Sequence, residues 1–228
     1  KILHVYRGAE DVIASWRRPK FDPSTNAPMK KPALSVAAMD WIKAEQTARS
    51  LGETTQFSAS EAASAMTFLG MAGFNTNQIV AATPGMLNLA QAAGSELADT
   101  ADIASNILSG FSLQAQDMNR VGDVLAATFT TSNTTLQMLG DTLKYAAPVA
   151  SSAGASIEEV AAMAGLLGNV GIQGSMAGTA LRAAFLRLSA PPKEAADALA
   201  NLGVEVKDLD GNLRSVPALL QELAQATE

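Results

Sequence analysis

The sequence predicts an all-α, multi-helix domain that carries a duplicated helix-turn-helix unit and one short hairpin near residues 204–214. Three observations lead there. Apolar residues recur at three- and four-residue spacing through most of the chain. Ser-x-x-Glu patterns open helices and glycines close them. One 18-residue block, Ser58–Asn75, returns as Ser156–Gln173 without a gap.

Residues 1–33 stand apart from the rest. They hold Arg7, Arg17, Arg18, Lys20, Lys30 and Lys31, and Pro19, Pro23, Pro28 and Pro32 fall within 14 residues, which precludes a continuous helix. Ala9–Trp16 suits a short helix. The stretch reads as a loosely ordered, basic, proline-rich arm, with a basic docking arm as its functional alternative.

Residues 34–228 read as a helical core domain. Leu34–Leu51 is amphipathic and is expected to stop at Gly52. Ser58 and Glu61 form a capping box, in which hydroxyl and carboxylate each take an orphan N–H, and that helix runs to about Ala72 before Gly73. Asn77–Ala93 follows, with Pro84 marking a kink or restart. Leu97, Ala101, Ala104, Leu108 and Phe111 line one helix face, and Met118, Val121, Leu125 and Phe129 line the next. Thr128–Thr135 is a polar joint whose side chains compete for backbone hydrogen bonds. Leu136–Ala147 is helical up to Pro148. Ser156 and Glu159 form a second capping box on a helix reaching about Val170. Ser175–Leu188 and Pro191–Leu202 come next, the latter closed by Gly203. Val204–Arg214 alternates around Asp210-Gly211, a hairpin signal, and a last helix starts at Val216.

The duplicated blocks share Ser58/Ser156, Glu61/Glu159, Ala63/Ala161, Leu69/Leu167, Gly70/Gly168 and Gly73/Gly171 at a constant offset of 98. Each is a capping box, an apolar helix, a glycine stop and an apolar anchor. Two copies fall short of the three or so that a solenoid needs, so one domain with a duplicated unit is the simpler reading.

Composition excludes several functions. The chain has 228 residues and no cysteine, so disulfides and thiolate metal sites are out. Its single histidine, His4, lies at the start of the chain, away from any core triad or metal site. A net charge of −6 argues against specific nucleic-acid binding. Hydrophobic residues make up 48% but aromatics only 5%, and 44 alanines point to close packing on small side chains. The chain begins at Lys1 and ends at Glu228 inside a helical pattern, and so reads as a fragment of something longer.

No motif carries chemistry. The residues from Val160 to Leu181 are free of charge over 22 positions, the length of a membrane span, and hold Gly165, Gly168, Gly171, Gly174 and Gly178. Asn169, Gln173 and Ser175, and a turn at Gly171–Gly174, favour two short buried helices instead. The charge-free run Ala62–Ser95 is broken by Gly73, Asn75 and Pro84. Gly168-Asn-Val-Gly-Ile-Gln-Gly lacks the preceding strand and following Gly-Lys-Ser/Thr of a phosphate loop. Glu158-Glu159 fits dipole-favourable capping residues at a helix start. Asp208-Leu-Asp-Gly-Asn lacks the closing glutamate of a calcium loop and reads as a turn. The nine methionines read as core filler, or alternatively as an adaptable partner groove. No catalytic, cofactor-binding or metal residue is assigned, and the chain is expected not to be an enzyme.

Several runs together carry a family resemblance. Thr55–Ala63 through Phe68–Asn75, Leu143-Lys-Tyr-Ala-Ala-Pro-Val-Ala with Gly154–Val160 after it, Gly171–Arg182, and Leu202-Gly-Val with Asp210–Arg214 resemble the core region of phage tail tape measure proteins, in order across about residues 40–228. The resemblance implies a structural protein of a phage or prophage tail. It would act in tail assembly and tail-length determination, from the tail lumen of the virion and, during assembly, from the host cytoplasm. Tail tube, tail assembly chaperone and baseplate or tip proteins are the implied partners, and a homo-oligomer is expected. A membrane-interacting conduit segment used at DNA ejection, or a helical adaptor module, is the alternative.

Overall fold

The computed structural model describes residues 36–208, 211 and 213–226. The arm expected at residues 1–33, the short helix expected at Ala9–Trp16, and His4 lie outside them. The described residues form ten α-helices: α1 (Val36–Thr54), α2 (Ala59–Met71), α3 (Thr76–Ala93), α4 (Leu97–Gly110), α5 (Met118–Thr131), α6 (Leu136–Ser152), α7 (Ile157–Asn169), α8 (Gly174–Ser189), α9 (Lys193–Asn201) and α10 (Val216–Ala226). The expected hairpin is a single antiparallel bridge, Lys207 to Leu213, supported by Arg214 N–H donating to the Val206 carbonyl at 2.9 Å.

The first eight helices alternate between two layers. α1, α3, α5 and α7 pack side by side in one, and α2, α4, α6 and α8 in the other. Neighbours within a layer run the same way. Arg120 at the start of α5 meets Glu158 at the start of α7, and Asn133 just past α5 meets Asn169 at the end of α7. Gly140 of α6 abuts Ile103 of α4, and Gly110 abuts Ala147 further along both. Each helix therefore touches those one and two places away, the neighbour rule of an α-solenoid. One cluster of buried residues runs from Ala44 to Val216 and is built mainly from Ala, Leu, Ile, Val and Met, with Phe185 and Phe111 its only buried aromatics among the described residues.

The duplicated blocks fold alike. α2 and α7 are both 13 residues long and start from Ser58 and Ser156, whose hydroxyls accept from Glu61 N–H and Glu159 N–H. Both end on left-handed glycines, Gly73 at φ 93° and Gly171 at φ 85°. Behind them Phe74 N–H donates to the Leu69 carbonyl and Ile172 N–H to the Leu167 carbonyl, closing the same Schellman turn. The likeness extends outward: α1–α2–α3 corresponds in order to α6–α7–α8. Because the copies begin five helices apart, an odd number, the second lies with its layers exchanged relative to the first.

Four expectations need correction. Gly52 does not end α1, which continues to Thr54. A side chain at Gly52 would strike the Ala59 backbone, so the glycine serves the close return of the chain into α2. Pro84 starts no new helix and Pro148 ends none; both are interior to helices, α3 and α6. Each withholds one N–H from the carbonyl four residues back. Burial of Gly85, Met86 and Leu87, and of Ala146, Ala147 and Ala150, holds the helix on either side. The polar joint is shorter than 128–135. The hydroxyls of Thr128, Thr130 and Thr131 donate to carbonyls four residues back, and α5 continues to Thr131.

Candidate functional site

Sequence reading assigned no catalytic, cofactor or metal residue, and the structure accounts for the motifs it weighed. Among the described residues no group of three His, Asp or Glu could hold a metal ion. In the glycine run, Gly165 and Gly168 lie against Thr128 and Thr134, Gly178 lies over the Thr142 backbone, and Gly171 and Gly174 make the turn. The loop amides are already used: Gly171 N–H donates to the Gly168 carbonyl at 3.0 Å, and Ile172 N–H to that of Leu167 at 2.9 Å. Asn169 Oδ1 accepts from Asn133 N–H at 2.8 Å, and Gln173 Nε2 donates to the Asn133 carbonyl. This is a tie between the α5–α6 and α7–α8 junctions, not a phosphate cradle. None of the described helices is long and apolar enough to cross a membrane.

The two adjacent glutamates part company. Glu158 accepts from Arg120 Nε at 2.6 Å and Nη2 at 2.9 Å, a bidentate pair that holds its carboxyl below the usual carboxylate range. Glu159 does not reach back to the Ser156 amide as the capping-box pattern implied. Its Oε1 accepts from the Val216 N–H at 2.7 Å, 57 residues away. A glutamate in the first turn of α7 thus caps α10. Glu61, its counterpart, does close its box, accepting from Ser58 N–H and Oγ, both at 2.7 Å, and its carboxyl is lowered by that backbone hydrogen bond first. In the Asp208–Asn212 turn, Leu209, Asp210 and Asn212 lie outside the described residues, while Gly211 adopts φ 84° and donates to the Asp208 carbonyl.

One open groove of about 660 Å³ runs between the C-terminal halves of α4 and α6. Asn106, Ser109, Ser112, Lys144, Pro148 and Ser151 are among its walls. Lys144 is its one titratable group, so the groove offers no acid–base pair for catalysis. Ser112 sits at φ 55° where the other turns of this kind place glycine. Of the methionines, Met66, Met86, Met118 and Met163 are buried and Met71 and Met176 are exposed. The first group is core filler.

The chain matches the family described as phage-related minor tail protein over residues 45–228. It belongs to that family. Two curated relatives of this phage-related minor tail protein chain are similar across most of its length. The "Tape measure protein" of Pneumococcus phage Dp-1 is 39% identical over 177 residues, covering 78% of this chain and 15% of the relative. The "Probable tape measure protein" of Escherichia phage P2 is 42% identical over 181 residues, covering 79% of this chain and 22% of the relative. The chain therefore spans less than a quarter of the length of either. No solved structure matches it. What sequence reading missed were the pairings between helices: Arg120–Glu158, Asn133–Asn169 and Glu159–Val216. Of these, only the Glu158–Glu159 doublet left any trace in the pattern.

Proposed function

We propose that this chain is the folded helical region of a tape measure protein, acting in phage tail assembly and in setting tail length. The observation that carries the reading is identity of 39% and 42% to two tape measure proteins across 78% and 79% of the chain. Residues 34–228 form its core domain and residues 1–33 its basic arm. Its partners are further copies of itself, tail tube, tail assembly chaperone and baseplate or tip proteins. It occupies the tail lumen in the virion and the host cytoplasm during assembly, and its role is structural, not enzymatic.

Within such a protein this region docks or initiates; it is not the measuring rod. A straight helix of all 228 residues would reach about 340 Å, whereas α1, at 19 residues, spans about 28 Å before the chain turns back. Contour length and span are uncoupled here. Removing residues 156–188 in frame from the full-length protein exposes the faces that α7 and α8 cover. Electron microscopy should then show missing tails or tails of uncontrolled length. Intact tails shortened in proportion, by about 50 Å at helical rise, would show that this region belongs to the ruler.

A further inference from the structure

The two ends of the layered stack differ. α1 and α2 form one end, α7 and α8 the other, and the helices between have neighbours in their layer on both sides. α10 covers only the base of the α7–α8 end, where Glu159 caps it and Val216 and Leu219 are buried. The tip half is open. There Leu166 on α7 and Val170 just past its end are 66% and 72% exposed, and Met176 in the first turn of α8 is 63% exposed. The internal repeat makes this informative. The first-copy counterparts of Leu166, Val170 and Met176 are Phe68, which packs against the core, the small Ala72 and the polar Gln78. Large aliphatic side chains face outward in the second copy where the first presents none, and such a patch marks an interaction surface.

Charge separates the ends in the same way. At the α7–α8 end Glu158 is paired with Arg120 and Glu159 is spent on Val216, while Arg187, on the same face of α8 as Met176, is exposed with no ion pair among the described residues. At the α1–α2 end Arg49 pairs with Glu45, Lys43 bonds Asn77 and Glu61 is taken by Ser58, which leaves Asp40 and Glu53 without a cation among the described residues. Met71, 65% exposed, sits at the C-terminus of α2 on that end.

We propose that the α7–α8 end docks onto the α1–α2 end of a second copy, so that copies stack head to tail. Leu166, Val170 and Met176 then bury against α1 and α2, with Arg187 facing the carboxylates of Asp40 and Glu53. The joint continues the packing already present inside each chain, where α8 lies beside α6 and α7 beside α5. The two surfaces are different, so the contact is heterologous and each added copy offers a fresh end. The proposal does not depend on the tail-length role and is tested without particles.

Sedimentation velocity of the 228-residue chain at rising concentration should show monomer, dimer and longer species in one ladder. Leu166→Ser with Met176→Ser and Arg187→Glu blocks one end; Met71→Ser with Glu53→Lys blocks the other. All five positions are exposed, so helical content and melting should be retained. Each blocked variant alone should associate at least tenfold more weakly than the parent chain. Mixed in equal amounts, the two should form dimers and nothing longer, because one competent end of each kind remains. A parent chain that stays monomeric, a ladder that stops at dimer, a blocked variant that associates normally, or a mixture that stays monomeric would each overturn the proposal.

Discussion

The two capping boxes begin with the same chemistry and finish differently. Ser58 and Ser156 both cap through the hydroxyl, and Glu61 and Glu159 occupy the same position three residues on. Glu61 turns back to the Ser58 amide, while Glu159 reaches out to the Val216 amide. The difference lies in what stands nearby. No foreign helix start approaches α2 in the described residues, whereas α10 brings an orphan N–H to α7, and a buried amide left unmade is costly. A local motif fixes that a carboxylate is present at a helix start; tertiary neighbours choose which amide it serves.

The largest test of that comparison lies at Gly178, whose counterpart in the first copy is Val80. A Cβ at Gly178 would lie 2.5 Å from the Thr142 carbonyl oxygen. Gly178→Val should therefore cost roughly 3 kcal/mol by urea denaturation, or prevent folding, because rigid backbone cannot yield to overpacking. Unchanged stability would mean that α6 and α8 separate without cost and that the two copies pack alike.

Next are the glutamates themselves. Glu159→Ala removes a charged cap from a half-buried site and should destabilise by about 2 kcal/mol, with faster amide exchange over Val216–Ala226. Glu61→Ala should cost less, because the site is exposed, with faster exchange confined to the first turn of α2. If exchange in α10 is indifferent to Glu159, the long-range cap is unimportant and the boxes are equivalent.

Acid sharpens the same contrast. The carboxyls of Glu61 and Glu158 are held below their ordinary values, by the Ser58 amide and by Arg120 respectively. A group depressed in the folded state contributes stability in full above its unfolded pKa, about 4.3 for Glu, and loses it as pH falls through the folded value. The melting temperature should fall as pH drops below about 4.3, and Glu61→Gln and Glu158→Gln should each make that fall shallower. An equally steep acid dependence in both variants would assign it to other carboxylates.

The smallest effect is expected at Ser112. Its left-handed backbone costs an L-residue about 1 kcal/mol, and Ser112→Gly should return part of that as a slightly higher melting temperature. A loss of stability would show that the hydroxyl contributes more than the strain removes.

Much of the fold was legible because its punctuation is local. Ser58, Ser156, Gly73, Gly171 and Gly203 mark helix ends through bonds to residues within one turn, so spacing alone reveals them. Pro84, Pro148 and Gly52 misled for the opposite reason: their cost is local, but what offsets it is burial against residues distant in sequence. The layered order was invisible for the same cause. Gly165, Gly168 and Gly178 look like membrane or loop glycines until Thr128, Thr134 and Thr142 are placed beside them. The absence of an assigned chemical site came from composition, through the missing cysteine and the single histidine, while the family came from the ordered runs that the duplicated helices contain.

The layered order also governs how the chain can acquire its structure. Each of the first eight helices finds its neighbours one or two elements back, so most contacts close short loops, whose entropy is small and whose formation is fast. Folding can then follow synthesis helix by helix, without waiting for a distant partner. α10 is the exception. Its cap is a glutamate laid down 57 residues earlier, in the first turn of α7, and the intervening loop must be complete before that amide is satisfied. α10 therefore sets after the stack it rests on has already formed.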